Sequence, residues 1–238
     1  MTTTSLATAT SPDVATTQLV LVPVGSLEQH GPHLPLDTDT VVATAVATRA
    51  AELLACDVTV LVAPPLPFGA SGEHQQFPGT TSVGSAALHL VVMELVRSVG
   101  TWASRVIFVN GHGGNVAALQ GAVGTLIREG HDTGWFACAA GEGDAHAGLT
   151  ETSLMLHLRP DSVRLERAAA GNTAPIGQLL PMLRTAGVAA VSVNGVLGDP
   201  TGATPEAGEQ ALAAMVRNLS AAVLHGVPDR LGRLRARR

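Results

Sequence analysis

Residues 22–40 read VPVGSLEQHGPHLPLDTDT and follow an apolar run that is typical of a strand buried on both faces. Glu28 and His30 are two residues apart, so a continuing strand would direct both side chains to one face. A glycine-proline pair then ends any strand, and Asp39 returns on a loop or in the first turn of a helix. Two carboxylates and an imidazole could therefore meet at one metal ion, although the stretch alone also fits a polar surface loop.

Strands and helices alternate outward from this stretch. Apolar, β-branched runs predict strands at 18–24, 57–63, 105–110, 133–139 and 188–193. Ala, Val and Leu at helical spacing predict helices at 38–54, 85–103, 115–130, 154–158, 178–184 and 203–225. Thr38 or Asp39 is expected to cap the first helix. The alternation predicts an α/β fold, a three-layer α/β/α sandwich with a mostly parallel sheet.

The composition fits one well-cored domain. Of the 238 residues, 46% are hydrophobic and 14% charged, and Tyr is absent, so the core is expected to consist mainly of Ala, Val and Leu. We expect a disordered segment at 1–17, a domain at 18–225 and a basic tail at 226–238. The low charge is also compatible with subunit faces buried in a homo-oligomer.

Other features argue against several function classes. The net charge of −5 gives no basic footprint for nucleic acid. The first residues lack a basic start and an apolar core, which argues against a secretory signal, and no apolar run is long enough to span a membrane. Cys56 and Cys138 show no metal-knuckle spacing and indicate buried thiols in a reducing compartment. We therefore expect a cytoplasmic protein.

Three further polar clusters follow predicted strands. The loop at 66–81 carries Glu73 and His74, a glycine-rich turn carries His112, and the fourth strand leads to His146 and Glu151. The glycine-rich turn matches neither the dinucleotide fingerprint nor the phosphate-binding loop. Each cluster alone has an ordinary explanation, such as a carboxylate at the start of a helix. Their common place after strands favours one site at the carboxyl edge of the sheet.

Four segments, PVGSLEQHGPHLPLDTDT, EHQQFPGT, VNGHGGN and HAGLTETSLML, resemble the successive signature motifs of the creatininase, or creatinine amidohydrolase, family. The likeness covers residues 18–225 and keeps the order of the motifs. It implies a creatininase-like fold and a metal-dependent amidohydrolase. Two divalent ions, about 3.5–4 Å apart, would activate water to attack a C–N amide bond.

The resemblance also implies a ligand set. The residues that match the family's metal ligands are Glu28, His30, Asp39 and His112, with Asp39 shared by both ions. Creatininase has a glutamate where this chain has Gly114, so the ion held by His30 and Asp39 lacks one ligand. We expect Glu151 to supply it; the alternative is one tightly held ion and one weak one. Mixed nitrogen and oxygen ligands fit zinc, iron or manganese.

His146 matches the family's catalytic histidine and is expected to move the proton to the leaving nitrogen, with His74 as its competitor. Creatininase closes tryptophans over its substrate, whereas between the strand at Thr133 and His146 this chain has only Trp135, and no Trp immediately precedes His146, so creatinine is not the expected substrate. The length, the Ala, Val and Arg bias and the NGHGGN motif resemble the family branch that cleaves a modified ribosomal peptide, the mycofactocin precursor. That branch releases the Val-Tyr-derived C-terminal end.

Two alternatives stay open at this point. Within the same family, the chain could hydrolyse creatinine, formamide or a small lactam. From another class, it could be a metal-binding scaffold without turnover. The presence of both His146 and Glu151 speaks against a scaffold, since a scaffold needs no proton shuttle.

Overall fold

The computed structural model describes residues 5–139 and 144–235. Its sheet has four parallel strands in the order β2-β1-β3-β4. They are β1 (Leu19–Val24), β2 (Val60–Val62), β3 (Arg105–Asn110) and β4 (Thr133–Ala137). Val24 pairs with Asn110, and Asn110 pairs with Ala137. Three strands thus end at one level, and the segments that follow them leave from the same edge.

Helices cover both faces of the sheet. They are α1 (Thr38–Leu54), α2 (Gly84–Val99), α3 (Val116–Arg128), α4 (Leu149–Leu158), α5 (Ile176–Ala186) and α6 (Pro205–His225). Leu19 and Leu21 of β1 pack with α1 and α6, whereas Val20 and Val22 pack with α2 and α3. This alternation explains why β1 is apolar throughout, and it confirms the three-layer α/β/α sandwich.

The predicted strand at 188–193 is wrong. Its first residues form a 3-10 helix, Val188–Ala190, and Val193 is 96% exposed. Gly187 and Gly195 on either side have φ angles of 74° and 80°, which an extended strand does not tolerate. Val188 is nevertheless buried, because it packs on Leu179 and Leu197 outside the sheet. The β-branched residues thus correctly indicated burial but not the backbone conformation.

The predicted cap of α1 also differs, because Asp37 precedes the helix and both Thr38 and Asp39 lie in its first turn. Residues 5–17 of the segment expected to be disordered contain two 3-10 helices, Leu6–Thr8 and Ser11–Val14, and residues 1–4 lie outside the described residues.

The described part of the C-terminal tail, residues 226–235, packs on the domain, and residues 236–238 lie outside the described residues. The backbone N–H groups of Trp135 and Leu234 bond to Gly232 and Trp135, and Leu234 is buried. Cys56 is exposed, contrary to the predicted buried thiol, because it follows the last turn of α1, whereas Cys138 is partly buried. Among the described helices, none is long and apolar enough to cross a membrane.

Candidate metal centre

The segment between β1 and α1 leaves the sheet without regular structure. It is held by backbone hydrogen bonds from Glu28 to Leu36 and from Thr81 to Leu27. Glu28, Gln29 and His30 are consequently all buried, at 0%, 5% and 0% exposure. The sequence suggested that strand alternation brings Glu28 and His30 together. In the structure the strand ends at Val24, and a folded-back loop brings them together instead.

Glu28, Asp39 and His112 form one buried triad. Oε1 of Glu28 lies 3.0 Å from Nδ1 of His112, and Oδ2 of Asp39 lies 3.4 Å from the same nitrogen. Each residue offers one ligand atom within 4.8 Å of the others, which is close enough to hold a metal ion.

His30, Asp39 and Glu151 form a second triad of the same kind. Nε2 of His30 lies 3.3 Å from Oδ1 of Asp39 and 3.9 Å from Oε2 of Glu151. Asp39 thus offers one carboxylate oxygen to each triad, because the first turn of α1 aims it between His30 and His112.

A third combination joins Glu28, His30 and His146. Nδ1 of His146 lies 3.8 Å from Oε1 of Glu28, and the rings of His30 and His146 are 4.3 Å apart between centroids. His146 therefore lies within the same cluster, but its nearest carboxylate oxygen is farther away than those of His30 and His112.

Several cluster atoms need a cation. Within the part of the chain that the structure describes, both carboxylate oxygens of Glu28, Nε2 of His30 and Oδ2 of Asp39 are buried and make no aligned hydrogen bond. Such atoms are costly to bury unless a counter-charge compensates them. Carboxylate oxygens and imidazole nitrogens are also the donors that divalent transition metals prefer, so the residues fit a metal centre.

The protonation equilibria agree with this demand for positive charge. Burial alone would lower the pKa of His30, but the carboxylates of Asp39, Glu151 and Glu28 raise it to about 10. Burial and the charge of Glu28 raise the pKa of Asp39 to about 6, against the opposing effect of His30 and His112. Burial would also raise the pKa of Glu28, yet the histidines around it hold it well below its usual range.

The glycine-rich turn after β3 is fixed by asparagines. The side-chain amide of Asn110 donates to the carbonyl oxygen of His112 at 2.6 Å, and that of Asn115 donates to the carbonyl oxygen of Gly25 at 2.9 Å. A Cβ at Gly111 would lie 2.5 Å from the backbone oxygen of Asp39. The glycine therefore allows the turn to approach α1 closely enough for His112 to meet Asp39.

Glu73 lies on the far side of His112. Its Oε1 is 3.4 Å from Nε2 of His112, whose Nδ1 faces the cluster. A Cβ at Gly114 would collide with the carbonyl oxygen of Ala70 and lie 2.5 Å from Oε1 of Glu73. A side chain at position 114 would therefore displace the Glu73 carboxylate. The sequence pattern does not indicate this dependence of Glu73 on Gly114.

His146 and Glu151 reach the cluster from a loop and a helix. His146 forms an antiparallel bridge with Leu197, and α4 begins at Leu149. Between them, Ala147 is buried with a φ of 53°, a conformation that non-glycine residues adopt rarely. The N–H of Ala147 donates to Oε2 of Glu151 at 2.6 Å. Oε2 of Glu151 thus accepts the hydrogen bond from Ala147, just before α4, and also faces His30.

A cavity of about 260 Å³ opens beside the cluster. Asp39, His112, His146 and Glu151 line its polar side. Its apolar lining includes Val42, Val116, Ala137, Leu154 and Met215. A substrate in this cavity would contact His146.

His74 lies in the cluster but not among the residues that line the cavity. Its Nε2 is 3.4 Å from Oε1 of Glu28, and its ring centroid is 4.5 Å from that of His146. Burial lowers the pKa of His74 to about 2, although Glu28 opposes this effect. The ring is therefore neutral and contacts Glu28 rather than the cavity.

The fold and this cluster define the chain as an α/β protein with candidate metal ligands at the carboxyl edge of a parallel sheet. The chain belongs to the creatininase family, described as creatinine amidohydrolase, whose sequence profile matches residues 2–223.

Relatives and solved structures agree with this assignment. The mycofactocin precursor peptide peptidase of Mycolicibacterium smegmatis is 54% identical over 218 residues, which cover 91% of this chain and 88% of that protein. The creatinine amidohydrolase of Pseudomonas putida is 30% identical over 88% of this chain and 90% of its own length. A crystal structure of creatinine amidohydrolase (creatininase) superposes with a TM-score of 0.75 at 28% identity, covering 92% of this chain and 96% of its own.

Proposed function

We propose that the protein is a peptidase that hydrolyses an amide bond of the modified mycofactocin precursor peptide and releases its Val-Tyr-derived C-terminal end. The observation that carries this proposal is the pair of carboxylate and histidine triads that share Asp39 beside a cavity. The peptide is assigned as substrate because the relatives of that name are 52–54% identical over most of the chain.

We propose two divalent ions in each subunit. Glu28, Asp39 and His112 would hold one ion, and His30, Asp39 and Glu151 would hold the other. Solved creatininases include manganese and zinc-zinc forms, and the mixed donors here fit zinc, manganese or iron. When bound, such ions polarise an amide carbonyl and lower the pKa of an attacking water.

His146 is the proposed acid and base. It lines the cavity, and burial together with the neighbouring His30 lowers its pKa to about 4, so it is neutral near pH 7. A neutral imidazole can take a proton from the attacking water at Nδ1 and deliver it to the leaving amide nitrogen. The competing assignment, His74, is less favoured because its ring does not line the cavity.

Creatinine is a weaker candidate substrate. Trp135 is 1% exposed in the sheet, and its indole N–H donates to the carbonyl oxygen of Leu231. Trp102 packs beside α2 and α3, on the opposite face of the sheet from α4 and α6. Neither tryptophan of the chain lines the cavity, so neither can close over a small ring there.

The homo-oligomer, with which the low charge is compatible, stays a prediction. Apolar side chains of two helices, Leu53 and Leu90, are 56% and 60% exposed in the single chain and offer surface for such contacts. Light scattering on a size-exclusion column measures the subunit number directly.

The proposed function is tested by turnover. The metal-loaded protein is incubated with the modified precursor peptide, the unmodified peptide, creatinine and formamide, and products are identified by mass spectrometry. We expect cleavage of the modified peptide alone. Hydrolysis of creatinine or formamide without peptide cleavage would contradict the proposal.

The variant His146→Ala tests the role of the proposed acid and base. Loss of its imidazole should lower kcat by about 10²–10⁴-fold, the range typical of general acid-base groups, while metal content is unchanged. Loss of metal in this variant would instead make His146 a ligand, through the combination with Glu28 and His30.

A further inference from the structure

The side chain of Gln29 lies between His74 and His146 and is fixed in one orientation. Its Nε2 is 3.0 Å from the carbonyl oxygen of Gly195, and its Oε1 accepts a hydrogen bond of 2.8 Å from the N–H of Gly31. A backbone carbonyl only accepts and a backbone N–H only donates, so the amide cannot be turned over. Gly195 has no side chain, and a Cβ there would collide with this amide.

The backbone of Gln29 determines which ring nitrogen of His146 carries the proton. Nε2 of His146 lies 2.8 Å from the carbonyl oxygen of Gln29, so this nitrogen carries a hydrogen. In the neutral ring, Nδ1 then has a free lone pair. That atom is 3.8 Å from Oε1 of Glu28, in the cluster, and the ring lines the cavity.

The side chain of Gln29 determines which ring nitrogen of His74 carries the proton. Its amide has two hydrogens: one goes to Gly195, and the other goes to Nδ1 of His74 at 2.9 Å. The second hydrogen is not used by His146, because Nε2 of that ring is itself a donor. Nδ1 of His74 is therefore an acceptor, and its hydrogen lies on Nε2, 3.4 Å from Oε1 of Glu28.

We propose that Gln29 is a positioning residue that holds His74 and His146 in complementary roles. His146 presents a lone pair to the centre, as a base requires, whereas His74 presents an N–H that orients the Glu28 carboxylate. Partners of this kind around metal ligands fix ring tautomers and ligand orientation. The inference rests on the proposed function only in so far as it concerns turnover.

The experiment compares Gln29→Glu with Gln29→Met. An ionised glutamate has nearly the same shape but no donor, so it loses the hydrogen bond to Gly195, and its oxygen next to Nδ1 of His74 must accept a hydrogen bond. His74 should then carry its proton on Nδ1. His146 should keep its Nε2 proton, because its partner is a backbone carbonyl. Gln29→Met removes the amide with little change in volume and shows whether the variants fold.

Histidine tautomers are read from long-range proton–nitrogen correlation spectra of the zinc-loaded protein, with kcat and KM measured in parallel. We expect the His74 tautomer to invert in Gln29→Glu and kcat to fall about 10–100-fold, the range for partners of metal ligands, with KM unchanged. Nδ1 protonation of His74 in the wild type, or an inverted tautomer with unchanged kcat, would overturn the inference.

The spectra need no substrate. If the peptide is not cleaved but the tautomers are as described, the proposed function fails while the assignment of both rings stands.

Discussion

The two triads of the candidate centre differ in how completely the protein encloses them. In the first, Glu28, Asp39 and His112 are 0%, 3% and 5% exposed. In the second, His30 and Asp39 are equally buried, but the side chain of Glu151 is 25% exposed and also serves the N–H of Ala147. The first triad is thus preorganised by the sheet edge, whereas the second depends on a ligand with another role and access to solvent.

This difference predicts two ions of unequal affinity. In the metal-free protein, protons on His30 and His112 offset the charge of the two buried carboxylates, and a divalent ion at the Glu28 side takes over this role and compensates their desolvation cost. The Glu151 carboxylate loses less hydration when it is free, and its ion is correspondingly easier to remove. With Glu151 as a ligand we therefore expect two bound ions, the second weaker than the first; the alternative from the sequence, a weak second ion without this ligand, stays open.

The largest effect is expected from Asp39→Asn, because this carboxylate belongs to both triads. The amide keeps the shape but offers neither the charge nor two equivalent oxygens. We expect loss of both ions in elemental analysis and no detectable turnover. Retention of two equivalents would show that the triads do not share Asp39.

A smaller effect is expected from Glu151→Gln, which separates the two sides. The glutamine oxygen can still accept from Ala147, so the start of α4 is preserved. Isothermal titration of the metal-free variant should therefore show one tight equivalent and a second that is much weaker than in the wild type. Weakening of the first equivalent alone would mean that Glu151 binds the ion of Glu28 and His112 and not the ion of His30.

Glu73→Gln tests the opposite side and should act more mildly. Glu73 contacts Nε2 of His112 and does not belong to either triad. Removing the charge of such a partner typically lowers metal affinity about 10–100-fold. The same titration should show a weaker first equivalent with the second unchanged, the reverse of Glu151→Gln.

The smallest signal is the proton released when metal binds. In the metal-free protein, neighbouring carboxylates raise the pKa of His30 to about 10 and that of His112 well above its usual value, so both rings are charged at pH 7. Binding must displace those protons, so affinity should rise as pH increases toward the raised pKa values. Titrations in buffers of different ionisation enthalpy should give about one proton per ion. No release would mean that neither histidine is a ligand.

The sequence predicted the regular elements well where the periodicity is strong. The helix at Thr38–Leu54 and the strand at Arg105–Asn110 match to the residue, and they fix Asp39 and the turn of His112 at the sheet edge. Glu28 and His30 were paired by an assumed strand, whereas a loop brings them together. Local pattern cannot indicate how a loop folds back, because tertiary hydrogen bonds decide it.

Gln29 and Glu73 illustrate what the sequence could not predict. Strand alternation would direct Gln29 away from Glu28 and His30, so its contacts with two histidines were not expected. Glu73 was recognised as part of a polar loop, but its place beside His112 depends on the absence of a side chain at Gly114. Both residues act through contacts between segments that are 39 to 117 positions apart.

The most direct test of the shared centre is an anomalous difference map from crystals of the manganese-loaded protein. The shared centre should give two peaks, both within bonding distance of the Asp39 carboxylate, one beside His112 and one beside His30 and Glu151. A single peak, or a second peak bonded to Nδ1 of His146 in place of Glu151, would contradict it.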